Sequence, residues 1–116
     1  MPRAATTADV FNAIAEPRRR RIVELLAAEG AQPVGELVLR LELAQPAVSK
    51  HLGVLREVGI VTVTKRGRQR LYELDPKELK PVHDWVKVFE RYWTAQLDRV
   101  KARAERMASE RNASAE

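Results

Sequence analysis

The stretch QPAVSKHLGVLREVGIV, residues 45–61, decides how this chain folds. At about 100° per residue on a helical wheel, Val48, Leu52 and Leu55 fall within one narrow arc. Gln45, Pro46, Ser49, Lys50, Gly53 and Arg56 take the other side. One face is built to pack and the other is free to dock. Gly59 then breaks the pattern, and the strand formers Ile60, Val61 and Val63, followed by Leu71, Tyr72 and Leu74, flank a turn at Gly67. The expected product is a short helix near residues 44–57 that runs directly into a β-hairpin near residues 60–74. The free helix face carries an amide that can bond adenine, a hydroxyl, an ammonium and a glycine that lets the backbone approach closely. At the hairpin tip, KRGRQR gathers Lys65, Arg66, Arg68 and Arg70 around Gly67. Such a tip can replace counterions on a phosphate backbone or place an arginine in a narrow minor groove. Alone, it also reads as a solvated hairpin that keeps a sheet edge soluble. Beside the polar helix, it points to double-stranded DNA.

Working outward, Val34 to Leu41 carries Leu37 and Leu41 at i, i+4 and forms a short helix. With the helix beginning near Ala44 it makes a helix, a tight connection and a second helix. Before it, Pro17 suits the first turn of a helix whose Ile22, Leu25 and Leu26 form an apolar stripe, with Gly30 as its stop. An earlier helix is marked by Val10, Phe11 and Ile14, with Asp9 as a candidate cap, and ends before Pro17. After the hairpin, Asp75 and Pro76 fit the cap and first turn of a long last helix. Along it Leu79, Val82, Val86, Phe89, Trp93, Leu97 and Val100 recur at steps of three and four. The fold class is therefore α+β, mainly α, with about five helices and a two-stranded wing between the fourth and the last. One domain is expected over residues 8–107, between loose tails at 1–7 and 108–116.

The chain has 116 residues, 45% hydrophobic, and a formal charge of +5. Attraction to a polyanion is physically reasonable on that charge, although charge alone does not separate nucleic acid from an anionic membrane. The longest apolar run, residues 22–28, is interrupted by Glu24 and falls far short of the roughly 20 residues that span a bilayer. No signal peptide opens the chain, so a cytoplasmic protein without a membrane partner is expected. With no cysteine, neither disulfides nor thiolate metal sites can form, and His51 and His83 are the two histidines. Ser49 and His51 are two apart on one helix and face in different directions, so no catalytic pair is assembled and no enzyme is expected.

The order of elements, with AEPRRRRIVELL, QPAVSKHLGVLREVGIV and KRGRQRLYEL, resembles the ArsR-type winged helix-turn-helix repressors of prokaryotes over nearly all of residues 8–107. The resemblance implies a symmetric dimer on an imperfect inverted repeat, with the helix matching Gln45 to Glu57 in the major groove and the wing beside it. It places Gln45, Pro46, Ser49, Lys50 and His51 at or near DNA, and the free helix face and the hairpin tip add Arg56, Lys65, Arg66, Arg68 and Arg70 to the expected DNA contacts. His51 sits on the edge of the apolar arc, which suits a packing histidine that touches phosphate better than a base reader. The run Arg18 to Arg21 opposes the dipole of its own helix unless something negative lies nearby. That negative charge is either DNA phosphate or Glu16, Glu24 and other surface acids.

Thiolate sensors of that family resemble ELCVCDL in the third helix. This chain reads ELVLRL, so Val38 and Arg40 stand at the ligand positions, and neither binds a soft metal. Of the Asp, two His and Glu that zinc sensors place on the last helix, only His83 remains, with Asp84 beside it. No metal and no cofactor are expected. Trp85, Phe89, Tyr92 and Trp93 lie within nine positions and give two adjoining apolar stripes. One would pack on the domain's own core and the other on a two-fold partner. The expected dimer interface is Phe11, Ile14, Trp85, Phe89, Tyr92, Trp93 and Leu97. The rival readings are a winged module that binds a protein or single-stranded RNA, for which Tyr72 is the only stacking aromatic on helix face or hairpin, and the same repressor answering to a ligand or metal inducer.

Overall fold

The structure, a computed structural model, describes residues 7–115, with side chains over residues 9–113. Its first unit ends at Val82 and contains four helices and the hairpin; the second begins at His83. The helices are α1 (Thr7–Ala15), α2 (Pro17–Glu29), α3 (Val34–Leu41) and α4 (Gln45–Glu57). Strands β1 (Val61–Arg66) and β2 (Gln69–Leu74) follow, then a 3-10 turn over Pro76–Leu79, then α5 (Lys80–Ala115). This is the expected mainly helical winged architecture.

Three boundaries differ from the sequence expectation. Helix α1 begins at Thr7, which puts Asp9 in its first turn rather than at its cap. There the carboxylate still opposes the positive end of the helix dipole. The 3-10 turn separates Asp75 from α5, and Asp75 makes no side-chain cap bond. Pro81, at the second position of α5, has no N–H to donate back to Lys77, so a continuous α-helical ladder through this point is not available. At the other end, residues 108–115, expected as a loose tail, continue α5. The expected tail at 1–7 lies outside the described residues except for Thr7.

Glu16 shows how the α1–α2 corner forms. The residue before a proline is pushed out of the helical region, and Glu16 is extended at φ −84°, ψ 125°. Its carboxylate accepts from the backbone N–H of Arg18 at 2.9 Å and of Arg19 at 3.2 Å, capping α2. Arg19 and Arg20 reach back to the exposed carbonyls at the end of α1: Arg19 donates to Ala13 and Asn12, and Arg20 to Ile14 and Ala15 at 3.1 and 3.2 Å. Cations that would oppose the dipole of α2 thus satisfy the negative end of α1.

The core gathers apolar residues from each of the first four helices. Val10 and Ala13 come from α1, Ile22, Leu25 and Leu26 from α2, Leu37 from α3, and Val48, Leu52 and Leu55 from α4. Val58, Ile60 and Val61 complete it. The α3–α4 turn needs a left-handed residue at its start, and Glu42 supplies it at φ 55°, its N–H donating to Val38 at 3.0 Å. Between α4 and β1, Gly59 holds φ +83°, and a Cβ there would stand 3.5 Å from Cγ of Glu78. Gly59→Ala is therefore expected to cost about 1–2 kcal/mol, mostly from the left-handed backbone, measured as a lower urea midpoint with an unchanged slope.

Strands β1 and β2 are antiparallel in the register Val61↔Leu74 to Arg66↔Gln69. The two-residue turn at Gly67 and Arg68 takes positive φ only at the glycine, +61°, the pattern of a II′ hairpin. A third backbone segment supports the wing. Gln32, 7% exposed, exchanges two backbone hydrogen bonds with Tyr72 at 2.9 and 2.8 Å, and its amide donates to Glu29 at 3.0 Å. Among the described residues no helix is long and apolar enough to cross a membrane.

Leu79 and Val82, at the end of the first unit, pack against its core. In the second unit, α5 carries an apolar surface. From Trp85 onward most of its large apolar side chains are exposed, among them Trp85, Val88, Phe89, Tyr92, Trp93, Leu97, Val100 and Met107, while Val86 is half-buried. Trp85 and Phe89 meet edge to face with ring centroids 5.3 Å apart.

Candidate nucleic-acid interface

Helix α4 separates its residues as the wheel requires. Val48, Leu52 and Leu55 are each at most 1% exposed, while Gln45, Pro46, Ser49, Lys50, Gly53 and Arg56 are all exposed. The buried row fixes the helix in position and the open row presents polar groups to whatever lies against it. Ala44 caps the helix without a side-chain bond, and Pro46 falls in its first turn. Gly53 faces open space, and a Cβ at that position would meet nothing within 4 Å. A glycine inside a helix costs about 1 kcal/mol relative to alanine, and here no packing partner requires it. Gly53→Ala is expected to raise stability by that amount while weakening DNA binding, because the added methyl keeps the helix backbone off the groove floor. A gain in both stability and affinity would remove Gly53 from the interface.

His51 is placed differently from its neighbours. Its side chain is 15% exposed, with Nε2 3.9 Å from the Glu16 carboxylate. Nδ1 is buried and makes no hydrogen bond among the described residues. The imidazole thus fills the joint between α4 and the cap of α2, while Ser49 stands on the open face.

The wing tip has an unfavourable arrangement for an isolated hairpin. Lys65 and Arg70 are direct cross-strand partners, and Arg66 and Arg68 flank the same turn. All four are exposed, and none appears in an ion pair among the described residues. Like charges opposite one another on a strand pair destabilise it by roughly 0.2–1 kcal/mol. A polyanion across the tip would offset that repulsion by attracting all four cations.

With the open face of α4 and the cationic tip established, comparison with known proteins is decisive. Residues 16–63, which span the cap of α2 through the start of the wing, match the family described as "Bacterial regulatory protein, arsR family". The chain belongs to the ArsR family. It is 40% identical over 87 residues to the HTH-type transcriptional regulator Rv2034 of Mycobacterium tuberculosis, covering 75% of this chain and 78% of that protein. The arsenical resistance operon repressor of Escherichia coli is 32% identical over 94 residues, 80% of this chain and 77% of the relative. Among solved structures, a "possible transcriptional regulator for arsenical resistance" superposes with a TM-score of 0.61 at 41% identity, covering 81% of this chain and 94% of that one. This ArsR-family protein is accordingly a DNA-binding transcriptional regulator with the winged helix-turn-helix fold of its relatives.

The positions where thiolate sensors of the ArsR family hold metal do structural work in this member. Val38 packs against the core, and Arg40 forms a 2.7 Å ion pair with Glu29, the same carboxylate residue that accepts from Gln32. A link from α3 to α2 and the wing thus occupies that corner. His83 is exposed and lies 3.4 Å from Asp84. Among the described residues no three of His, Asp and Glu come together to hold a metal ion. Sequence reasoning missed Gln32 and the Arg40–Glu29 pair, since neither follows from local periodicity. It missed the cap at Glu16 as well, although the place of that residue immediately before Pro17 was a signal that could have found it.

Proposed function

We propose that this ArsR-family protein is a homodimeric repressor of the cytoplasm that occludes a promoter by binding an inverted repeat. Each protomer sets α4 into one of two successive major grooves and lays its wing beside it, with half-sites about one helical turn apart. Gln45, Pro46, Ser49 and Lys50 face the groove, His51 steadies the helix from behind, and Arg56, Lys65, Arg66, Arg68 and Arg70 meet phosphate or minor groove. The observation that carries this reading is the like-charge register of Lys65 and Arg70 at an exposed tip, a cost that a phosphate backbone offsets. The repressor in Escherichia coli named above agrees with it. The reading involves no catalysis, no cofactor and no obligatory metal.

Dimerisation is supported by α5, where Trp93, Leu97, Val100, Ala104 and Met107 step by four, three, four and three. That is a heptad seam, with Leu97 67% exposed in the single chain. Phe11, Ile14, Trp85, Phe89 and Tyr92 would extend the contact. A selection of bound sequences from random duplex DNA tests the whole reading. Inverted repeats with half-sites roughly 10 base pairs apart are expected, and recovery of lone half-sites, or of no preferred sequence, refutes it. On the selected site, Gln45→Ala is expected to relax the preference at one base position by about 1–3 kcal/mol while leaving the salt dependence intact. Ser49→Ala should act in the same sense and more weakly.

A further inference from the structure

The four-arginine run at the start of α2 does not act as a unit. Arg19 and Arg20 are held by the last carbonyls of α1. Arg18 and Arg21 point instead into an open cleft of about 250 Å³, where Arg40 from α3 joins them over an apolar floor of Pro17, Leu41 and Leu43. The structure assigns this three-arginine cleft as a second phosphate site, and we propose that the DNA backbone outside the base-reading contacts fills it. The proposal rests on the DNA-binding reading above.

Position is the first support. Leu43 immediately precedes Ala44, the cap of α4, and Glu16, one residue before Pro17, lies against His51 of α4. The cleft therefore opens where the cap of α2 meets the turn that leads into the recognition helix. In helix-turn-helix docking the amino end of the recognition helix contacts base edges while the preceding helix crosses the backbone. Phosphates flanking those bases come within reach of this turn.

Charge is the second. Each arginine has a carboxylate neighbour within its own fold: Arg18 has Glu16 at 3.8 Å, Arg21 has Glu24 at 3.3 Å, and Arg40 has Glu29 at 2.7 Å. The Arg21 pair is exposed on both sides and the Arg18 pair is long, with Glu16 already occupied in capping α2, so both contribute little and yield to a stronger partner. Phosphate takes a guanidinium in a bidentate fork, so Arg18 and Arg21 exchange while the shorter Arg40 pair keeps its place and adds field. Glu24 competes with the incoming phosphate and has no other bond among the described residues.

Two full-length variants and the wild type test this against the selected duplex and a random duplex of equal length, across a salt series. Arg18→Gln with Arg21→Gln is expected to weaken both duplexes by a similar factor and to lower the slope of log affinity against log salt by about 0.9 per lost contact. The ratio between duplexes should hold within twofold. Glu24→Gln, an exposed change with no burial to lose, is expected to tighten both duplexes severalfold, which keeps the test valid if the double variant folds poorly. Unchanged affinity and slope in both variants overturns the assignment, and the DNA-binding reading survives that result if wing variants still flatten the slope. Inorganic phosphate provides the last arm. Saturable thermal protection by phosphate over matched chloride, lost in the double variant while its DNA slope stays at the wild-type value, would give the cleft to a free anion and overturn the DNA assignment.

Discussion

Alanine at both Arg66 and Arg68 is expected to weaken binding to every duplex alike and to flatten its salt dependence. These side chains stand on the exposed turn of the wing, and each cation that neutralises a phosphate contributes about 0.9 to the slope of log affinity against log salt. Two per protomer give a loss of about 1.8, doubled in a two-fold complex, and at 0.1 M salt each contact corresponds to roughly tenfold in affinity. Preference between sequences should be preserved, because phosphate contacts position the protein without reading bases. The same pair of substitutions relieves like-charge crowding around Lys65 and Arg70, so folding stability should stay level or rise slightly. Loss of DNA affinity with stability retained separates this effect from unfolding. An unchanged salt slope in the double variant would take the wing out of the interface.

Leu52→Ala should have the largest effect on folding. Leu52 is 1% exposed at the centre of the buried row of α4, between Val48 and Leu55. Removing a buried leucine costs about 2–5 kcal/mol through lost transfer energy and the cavity left behind. That is a large share of the roughly 5–15 kcal/mol of a typical domain. The urea midpoint should fall steeply, and DNA binding should be lost on warming before the wild type loses it, since this row provides the buried contact between α4 and the core. Leu52→Met, which nearly conserves volume, should cost less than about 1.5 kcal/mol and keep DNA binding. Equal damage from both substitutions would mean that the site is limited by shape rather than by the loss of packed volume.

The buried stripes at Ile22, Leu25 and Leu26 and at Val48, Leu52 and Leu55 were readable because helical burial repeats with the helix itself. The turn at Gly67 was readable because a two-residue hairpin requires positive φ, which glycine adopts freely. Other residues were opaque for the opposite reason. Nothing within a few positions of Gln32 indicates that its backbone will pair with Tyr72, forty residues later. Nor does ELVLRL show that Arg40 will meet Glu29. The arginine run left two partners open, and folding divided it: two residues went to the end of α1, and two to the cleft.

By itself, then, the sequence determined the five helices and the hairpin, the rows that pack, the polar face of α4 and the cationic tip, because each is set by periodicity and turn chemistry within a few residues. Only the tertiary structure decided that His51 backs onto Glu16, that Gln32 braces the wing, and that Arg18, Arg21 and Arg40 share one cleft. Those relations join residues on different elements, and which side chains become neighbours is fixed only when the buried stripes dock and bring those elements alongside.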